Sequence, residues 1–457
     1  MNNMKFKSYP KYKDSRVQWI GKIPEEWEVR RFTSFGFFSS SGINKKTEPD
    51  EPLVKMVNYT DIYGNDSLVI DSKRELMTVS CPKGKIIFCD LKKGDIVFTP
   101  SSETEVDIGL SAVILENLKS TVFSYHVIRF RTIIKINLHF KKYIGNNHFV
   151  LSQFSSICKG TTRQILTHND FKSILTILPP FQDQTVIANF LDKKTAEIDE
   201  LIKKDKKLIE LLKEKRTALI NYAVTKGLDP NANMKDSGIK WIGDIPEGWK
   251  VRRLKFILDN KKNSIKTGPF GSQLTIDEMY DSEYKVYNQK NVIKKDEKLG
   301  ENYVSSEKFK ELIAFKTSPS DLLITTRGTI GKTLRLSEGA EIGILHPCLM
   351  KINTNKEMIL DRYMELIIED SDLVRIQLQL QSCVTTIDVI YQDNLKEINL
   401  FIPPINEQRT IIGYLDKQTL KIDKTIQKIQ KKIELLEEYK KSLIHHTVTG
   451  KIDVRGV

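Results

Sequence analysis

Cysteine is scarce in this 457-residue chain, and the few cysteines present are scattered. An odd number leaves one thiol over, and no Cys-x-x-Cys pair occurs among Cys81, Cys89, Cys158, Cys348 and Cys383. This pattern argues against a disulfide framework and a zinc site, and it predicts ordinary reduced thiols. Long apolar runs are missing too, since no stretch of about 18 uncharged apolar residues occurs. The N-terminus also lacks the apolar run of a signal peptide, so we expect a cytoplasmic, non-exported protein with no membrane span.

Recognisable catalytic motifs are missing as well. The sequence RGTIGKT at Arg327–Thr333 ends like a phosphate-binding loop, but that pattern requires a glycine where Thr326 stands. Neither an Asn-Pro-Pro-Tyr-like sequence for amine methylation nor a clear G-x-G-x-x-G cofactor motif occurs. We interpret Arg327–Thr333 as a Gly-rich loop that approaches DNA; a plain hairpin turn is the alternative.

Acidic and histidine residues offer two weaker catalytic candidates. Asp95, Glu103 and Glu105 resemble nuclease carboxylates, but no lysine follows at short spacing and the second half shows no counterpart. Two-metal catalysis needs converging carboxylates, so we interpret these three as solvated loop acids. His126 and His346 lie on apolar runs without a placed partner acid, which favours buried, hydrogen-bonded histidines. The sequence thus predicts no catalytic residue, no metal ion and no cofactor on this chain.

The chain has a basic excess, with 72 Lys and Arg against 59 Asp and Glu and a net charge of +13. A basic surface suits a polyanionic partner, nucleic acid first. An AT-rich genome also produces chains rich in Lys, Ile and Asn, so charge alone leaves nucleic-acid binding open.

A tandem duplication is the main feature that is present. KDSRVQWIGKIPEEWEVRRF begins at Lys13, and KDSGIKWIGDIPEGWKVRRL begins 222 residues later at Lys235. A second pair of similar blocks begins at Thr161 and Thr385, an offset of 224. The interiors between these blocks, residues 33–160 and 255–384, align poorly. Similar edges around different middles predict two variable recognition cores in one repeated frame, since catalytic cores would keep their reactive residues in both copies.

Each copy closes with a long predicted helix that follows LPPFQDQ or IPPINEQ. A heptad pattern with the same register runs along both helices, which predicts that they pack on each other as a coiled coil. The alternative is two amphipathic helices that pack on separate domains. Asp205 and Arg216 interrupt the first pattern and could fix its register. The predicted seam consists of Ile198, Ile202, Ile209, Leu212, Leu219, Ile422, Ile426, Ile429, Ile433, Leu436 and Leu443.

The connections predict an α+β architecture with two mixed α/β domains and two long antiparallel coiled-coil helices, related by a pseudo-twofold. The predicted segments are domain 1 (1–180), helical region 1 (181–227), domain 2 (228–404) and helical region 2 (405–457). Symmetric readers of duplex DNA place equivalent surfaces on two half-sites. Two unlike cores in a twofold frame therefore predict a double-stranded DNA site with two unlike halves, and the helices would set the spacing.

In these respects the sequence resembles the specificity subunits of type I restriction–modification systems. The resemblance covers essentially the whole chain, through WIGKIPEEW and WIGDIPEGW, LPPFQDQ and IPPINEQ, and GDIVF and SDLLITTRGTIGK inside the cores. It implies two target-recognition domains that each read half of a bipartite site. It also implies two modification subunits as partners, which carry the S-adenosylmethionine site and the adenine methyltransferase chemistry, and a motor–nuclease subunit for restriction.

Polar loop residues are the predicted DNA contacts, because Lys and Arg reach phosphates and Arg, Lys, Gln and Ser read base edges. For each of them a merely solvated loop residue is the alternative. The tryptophans of the repeated frame, Trp19, Trp27, Trp241 and Trp249, are predicted to pack core to helix or to meet the modification subunit. The predicted DNA-binding residues are Lys45, Lys46, Ser101, Ser102, Lys266, Gln289, Lys290, Arg327 and Lys332. Two other function classes stay open at this point: a nuclease with twin catalytic cores, and a scaffold that binds nucleic acid without sequence preference.

Overall fold

The computed structural model describes residues 6–280, 282–382 and 389–456. The chain divides into two compact units, which we call unit 1 (Met1–Asp205 with Gln430–Val457) and unit 2 (Lys206–Ile429). Each unit combines one mixed α/β core with a part of each long helix, which confirms the predicted α+β class. Two features of the sequence lie outside the described residues. They are Cys383 and residues 385–388, which begin the second Thr-Thr block. The bounds of the four predicted segments stay predictions.

Unit 1 is built on a five-stranded sheet of order β4-β12-β8-β10-β6 and a three-stranded sheet of order β11-β5-β7. Its strands are β1 (Tyr12–Asp14), β2 (Lys22–Pro24), β3 (Glu28–Arg31), β4 (Gly36–Ser40), β5 (Leu53–Val57), β6 (Val69–Ile70), β7 (Met77–Ser80), β8 (Ile96–Phe98), β9 (Ser101–Ser102), β10 (Ser111–Ile114), β11 (Thr121–Phe123), β12 (Ile128–Thr132), β13 (Gln164–Ile165) and β14 (Leu175–Leu178). Its helices are α1 (Tyr59–Ile62), α2 (Lys83–Phe88), α3 (Lys141–Gly145), α4 (His148–Ile157), α5 (His168–Ser173) and the first part of α6 (Phe181–Lys226).

The core of unit 1 is rich in phenylalanine. Phe130 lies 5.0 Å from Phe32 and 4.7 Å from Phe38, measured between ring centroids. Phe98 packs edge-on against Phe171 at 5.6 Å. All five side chains are buried, so strand β8 lies between two apolar faces, in keeping with its unbroken apolar sequence IVF.

Unit 2 contains two four-stranded sheets, of order β18-β25-β22-β23 and β20-β19-β24-β21. Its strands are β15 (Met234–Asp236), β16 (Asp244–Pro246), β17 (Lys250–Arg253), β18 (Ile265–Thr267), β19 (Tyr284–Tyr287), β20 (Tyr303–Val304), β21 (Lys316–Thr317), β22 (Leu322–Thr325), β23 (Thr333–Arg335), β24 (Gly343–Leu345), β25 (Leu349–Ile352) and β26 (Asn399–Ile402). Its helices, after the second part of α6, are α7 (Gln289–Lys294), α8 (Ser306–Glu311), α9 (Asp361–Glu365), α10 (Leu373–Ser382), α11 (Gln392–Lys396) and the first part of α12 (Ile405–Val448).

The repeated sequence blocks form the same joint between core and helix in both units. The hairpin β1–β2 of unit 1 corresponds to β15–β16 of unit 2, and the antiparallel pair β3–β14 corresponds to β17–β26. Trp27 Nε1 donates to Asp183 Oδ2 at 2.9 Å, and Trp249 Nε1 donates to Glu407 Oε1 at 3.0 Å. Both acceptors lie in the first turn of a long helix. The duplication therefore preserves a specific hydrogen bond that ties each core to its helix.

The glutamine of the Pro-Pro motif also has the same role twice. Gln184 donates from Nε2 to the carbonyl of Pro179 at 2.9 Å, and Gln408 donates to that of Pro403 at 2.9 Å. The side-chain carbonyl of Gln184 accepts from the backbone N–H of Asn137 at 2.9 Å, so this residue also holds the core. These contacts explain why LPPFQDQ and IPPINEQ recur ahead of the long helices.

The two middles share a buried aspartate, which corrects one sequence interpretation. Asp95 is 1% exposed and binds Arg131 Nη2 at 2.7 Å, so it is not a solvated loop acid. It also has a counterpart, because Asp321 is 5% exposed and accepts from the backbone N–H of Ser318, as Asp95 does from Lys92. The segments KKGDIVFTP at Lys92 and SPSDLLITT at Ser318 share this aspartate, so the equivalence is present in the sequence as a weak similarity although the flanking residues differ. The other two acids, Glu103 and Glu105, are exposed as expected.

The two long helices run antiparallel within each unit. In unit 1, Lys440 Nζ lies 2.6 Å from Asp199, and Lys432 Nζ lies 2.8 Å from Asp205. In unit 2, Arg216 Nε lies 3.3 Å from Asp423. The residue numbers on α12 fall as those on α6 rise, which confirms the predicted direction of the pair.

The predicted heptad seam coincides with the buried stripe of both helices. Both polar interruptions of the first helix are ion-paired across the seam, which suits the predicted role in fixing register. Leu212 and Leu219 are half-buried, and the remaining seam residues are between 3% and 9% exposed: Ile198, Ile202, Ile209, Ile422, Ile426, Ile429, Ile433, Leu436 and Leu443.

Candidate nucleic-acid interface

In unit 1 a cavity of about 340 Å³ opens where four chain segments meet. Ser101, Tyr125, His126, Arg163 and His168 contribute the polar and aromatic side chains of its wall. Ser101, Tyr125 and His126 lie in the interior that differs between the copies, whereas Arg163 and His168 lie in the repeated block that begins at Thr161, at positions where the second copy has Ile387 and Gln392. The cavity is therefore placed where the two copies differ in chemistry.

One side of the cavity is a short antiparallel strand pair. Ile165 of β13 pairs with Ser101 of β9, and the backbone N–H of Leu166 donates to the carbonyl of Pro100 at 2.7 Å. Across this pair Arg163 Nε donates to Ser101 Oγ at 3.3 Å. The two strands thus hold an exposed guanidinium at the mouth of the cavity.

The first turn of α1 lies beside the cavity, next to Arg163. Asn58 caps this helix, and its side chain accepts a hydrogen bond from Ser124 Oγ at 3.0 Å. Ser124 in turn accepts from the backbone N–H of His126 at 3.2 Å. The cap places Tyr59 at the start of the helix, where its ring lies 5.5 Å from the guanidinium carbon of Arg163.

The electrostatics of the cavity favour an anionic or electron-rich ligand. Burial lowers the pKa of His126, and the charges of Arg163 and Lys45 lower it further, so this imidazole is neutral at pH 7. Tyr125 lies against the imidazole at 3.8 Å between centroids. A neutral histidine, two tyrosines and an arginine can stack on bases and donate hydrogen bonds to base edges or phosphates.

Unit 2 assembles the same segments with different side chains. Arg327 forms a β-bridge with Val389, at the place where Ser101 pairs with Ile165 in unit 1. Asn288 caps α7 as Asn58 caps α1, so Gln289 stands where unit 1 has Tyr59. The side chain of Gln289 donates from Nε2 to the backbone carbonyl of Arg327 at 2.7 Å.

The predicted DNA-binding residues of unit 1 fall into two groups. Lys45 and Lys46 are exposed in the loop after β4, as expected. Ser101 and Ser102, by contrast, form strand β9 and are 7% and 1% exposed, so their interpretation as open loop residues is wrong. Pairing of β9 with β13 buries both hydroxyls. Ser101 still borders the cavity, whereas Ser102 accepts from the backbone N–H of Thr104 at 3.2 Å and is closed off from a ligand.

The predicted residues of unit 2 lie in three places. Gln289 and Arg327 are in contact, and Lys290 is exposed beside them in the first turn of α7. Lys266 is half-buried on β18, with its ammonium 4.9 Å from the ring of Phe315. Lys332 lies 3.4 Å from the carboxylate of Glu369, so its charge is already paired. DNA contact by these residues stays a prediction.

The segment RGTIGKT is a hairpin turn between β22 and β23. The N–H of Gly331 donates to the carbonyl of Thr325 at 2.8 Å, and the N–H of Thr325 donates to the carbonyl of Lys332 at 2.9 Å. Gly328 and Gly331 have φ of +64° and +74°, a conformation that glycine adopts without strain. The turn therefore explains both glycines and holds Arg327 exposed at its start.

The two histidines differ from each other. His346 is half-buried, its Nδ1 accepts from the backbone N–H of Cys348 at 3.2 Å, and burial lowers its pKa, much as expected. His126 was also expected to be buried and hydrogen-bonded, and this is wrong: it borders the open cavity, and within 6–280, 282–382 and 389–456 its ring nitrogens have no hydrogen-bond partner. Its apolar flanks belong to buried strands on either side, which misled the sequence reading.

Tyr59, Tyr125 and Arg163 were not on the predicted list of DNA contacts. The block CKGTTRQ contains Arg163, but nothing in the sequence ranks this arginine above its neighbours. The sequence alone does not mark either tyrosine as a candidate contact. The ends of a helix and a strand bring them near the cavity only in the folded protein. The alignment of the two helix caps, in VNY and YNQ, was the one cue available, and it is too short to be found without the structure.

The four tryptophans divide into two pairs. Trp27 and Trp249 are 0% and 1% exposed and bind the helices, as described above. Trp19 and Trp241 are 57% and 40% exposed, and they occupy equivalent positions 222 residues apart. Trp19 leans on Phe149 with 4.8 Å between ring centroids, which leaves most of its surface open.

Within the described part of the chain, no group of three or more His, Cys, Asp or Glu side chains is placed to hold a metal ion. In the same part of the chain, no helix is long and apolar enough to cross a membrane.

Comparison with known proteins gives a consistent result. Residues 24–211 match the sequence profile of the Type I restriction modification DNA specificity domain. The type I restriction enzyme MjaX specificity subunit of Methanocaldococcus jannaschii is 23% identical over 95% of this chain and 96% of its own length. The MjaVIII specificity subunit of the same organism is 26% identical over 67% of this chain and 68% of its own length.

Two solved structures share the fold. A chain from a type I restriction–modification system, solved to explain complex assembly and conformational transition, has a TM-score of 0.65 at 15% identity and covers 94% of this chain and 99% of its own. The HsdS subunit from Thermoanaerobacter tengcongensis has a TM-score of 0.51 at 15% identity, with 94% and 98% coverage. Together with the duplicated frame and the paired helices, these matches show that the chain is similar in sequence to type I restriction–modification specificity subunits over most of its length, and similar in fold to the two solved chains.

Proposed function

We propose that this chain gives a type I restriction–modification complex its DNA sequence specificity, and that each unit reads one half of a bipartite duplex site. One observation carries the proposal: the same backbone segments form the candidate surface in both units, but the side chains on them differ. A repeated catalytic site would keep its reactive groups. Surfaces that differ at equivalent positions suit two unlike half-sites.

The long helices have a separate role in this proposal. The seam between α6 and α12 is buried, and ion pairs cross it. The two helices therefore form a rigid connection within each unit. We infer that this connection sets the number of unread base pairs between the two half-sites. Changing the helix length by whole heptads should then change the spacer without changing either half.

The proposed partners are two modification subunits, which supply S-adenosylmethionine and adenine methylation, and a motor–nuclease subunit for restriction. Two exposed tryptophans at equivalent positions of the repeated frame, Trp19 and Trp241, suit the docking of two copies of one partner. This chain would bind and orient DNA in the cytoplasm without turnover of its own. Replacing both tryptophans by alanine should weaken assembly with the modification subunit and leave DNA-binding specificity unchanged.

The first experiment is co-expression with a candidate modification subunit, followed by mapping of methylated adenines across the genome. A single bipartite motif with two short unlike halves and a fixed gap is the expected result. Exchanging residues 255–384 for those of a relative should then change one half only. Tight assembly without any motif would indicate a scaffold, and failure to assemble would refute the specificity role.

Two binding experiments separate the remaining function classes. A specificity subunit should bind duplexes that carry the motif more tightly than scrambled ones, with a steep dependence on salt for both. A scaffold on a basic surface would bind both equally. A nuclease with twin cores would cleave DNA alone in the presence of magnesium, and this activity would depend on Glu103 or Glu105.

A further inference from the structure

Both units present one exposed arginine at the same place in the fold, and the two arginines come from opposite strands. In unit 2, Arg327 stands at the position that pairs with Val389. In unit 1, the equivalent position is Ser101, which pairs with Ile165. The arginine is supplied there from the other strand, because Arg163 donates from Nε to Ser101 Oγ at 3.3 Å.

Sequence alignment of the two copies does not reveal this correspondence. Arg163 aligns with Ile387, two residues before Val389, and Arg327 aligns with Ser101. Nevertheless the Ser101 hydroxyl brings the Arg163 guanidinium to the strand position from which the Arg327 side chain departs. In each unit, therefore, one arginine side chain lies beside this strand pair.

The contacts of Arg163 leave its recognition edge open. Nε is used by Ser101, and the guanidinium lies 5.5 Å from the ring of Tyr59, which restricts its plane. Among the residues that the structure describes, no carboxylate pairs with Arg163 and no protein acceptor binds Nη1 or Nη2. Those two groups are the donors that a bidentate contact needs.

Arg327 is held through its backbone and not through its side chain. Its carbonyl accepts from Gln289 Nε2 at 2.7 Å, and Gly328 with φ of +64° follows it into the turn. Across 6–280, 282–382 and 389–456, the guanidinium of Arg327 has no acidic partner; Asp388, the neighbouring acid in sequence, lies outside the described residues. By contrast, nearby Lys332 is paired with Glu369.

We propose that Arg163 and Arg327 are the guanine-reading residues of units 1 and 2, so that each half-site contains a G·C pair contacted by one of them. The inference rests on the proposed DNA-specificity function. A bidentate contact from arginine to O6 and N7 of guanine is the commonest specific contact in the major groove. Ser101, Tyr59 and Gln289 act as positioning residues that fix the two arginines before DNA binds.

The test starts from the wild-type motif and then replaces each G·C pair of one half in turn. Wild-type complex should lose about 5-fold to 150-fold in affinity at the pair that Arg163 reads, as expected for one bidentate contact. Arg163→Ala should remove that discrimination at one position of the first half and leave the second half unaffected. Arg327→Ala should do the converse.

Conservative and control variants separate reading from folding. Arg163→Lys keeps the charge but cannot make the planar bidentate contact, so it should retain overall affinity and still lose discrimination. Ser101→Ala should weaken discrimination at the same pair, with unchanged binding to scrambled duplex. Arg31→Ala, which removes an exposed arginine of β3 outside the cavity, should leave discrimination at every position intact.

Two results would overturn the proposal. One is a uniform loss of affinity across all duplexes in Arg163→Ala and Arg327→Ala, which would identify phosphate contacts. The other is a methylation motif in which either half lacks a G·C pair. In both cases a bipartite motif would still stand, so failure of this inference is distinguishable from failure of the proposed function, which requires that no motif be found.

Discussion

Replacing Asp95 by alanine should destabilise unit 1 strongly without touching a ligand. The Asp95 carboxylate is almost fully buried, and both of its oxygens accept from Arg131, from Nε and Nη2 at 2.7 Å each. It also accepts from the backbone N–H of Lys92 at 2.8 Å, which closes the turn before β8. Removal of the carboxylate therefore leaves a largely buried guanidinium and one backbone donor without their partner.

The expected cost follows from these losses. Breaking a buried ion pair from one side costs about 3–5 kcal/mol, because the remaining charge stays desolvated. Arg131 keeps a second carboxylate, Asp90, at 3.1 Å, which places the cost near the lower end of that range. We expect a loss of about 3 kcal/mol in the free energy of unfolding of unit 1 for Asp95→Ala.

Hydrogen exchange during a urea titration measures this effect, because peptides from the two units report on each unit separately. Amides of β8 and β10 should lose protection in Asp95→Ala, whereas amides of β22 should not. Glu105→Ala is the control, since an exposed acid on the following loop should change stability by less than about 0.5 kcal/mol. A loss below about 1 kcal/mol for Asp95→Ala would refute the structural role of this aspartate.

Three further predictions follow from other parts of unit 1. Burial, and to a lesser extent the nearby His446 and His148, lowers the pKa of His445 to about 4. Unfolding should therefore be favoured by about 2 kcal/mol as the pH falls from 6.5 to 4. In an acid titration, the stability of His445→Gln should depend less steeply on pH than that of the wild type. Trp27→Phe leaves the buried Asp183 carboxylate without its indole donor, so thermal unfolding should report a loss of about 1–3 kcal/mol. Lys440→Glu should destabilise the helix pair by repelling Asp199, and the double variant Lys440→Glu with Asp199→Lys should recover most of the loss in the same melting experiment.

The frame of this fold was predictable because its signals are local or repeated. A heptad pattern needs only one face of one helix, so the seam through Ile426 and Ile433 could be read directly. The duplication repeats the residues of the frame in both copies, so Trp27 and Trp249 could be recognised from the sequence as equivalent. Neither signal reaches the first middle, where β9 lies, and the pairing of β9 with β13 joins positions about 60 residues apart, as in Ile165 with Ser101.

The candidate site was predicted only in outline for the same physical reason. Residue type and loop position suggested Ser102 and Lys332, but a hydroxyl can be closed off by strand pairing and an ammonium by an acid such as Glu369. Arg163 was passed over because its importance arises from a contact with Ser101, and that contact exists only once two distant strands meet. Side-chain chemistry is visible in a sequence, whereas exposure and convergence are properties of the fold.

The two units share certain buried residues and differ at certain surface positions. This division explains how two unlike surfaces can share one frame. Each unit keeps a buried aspartate at the same turn, Asp95 or Asp321, and the backbone around it is held in both. The surface positions that differ, such as Tyr59 against Gln289, stand on helix caps whose asparagines are retained. Substitution at these positions alters the chemistry of the candidate surface without removing a buried partner, so such changes should cost little stability. A residue that both reads DNA and supports the core could not vary in this way, and Arg163 and Arg327, which belong to no buried ion pair among the residues described, are free to vary.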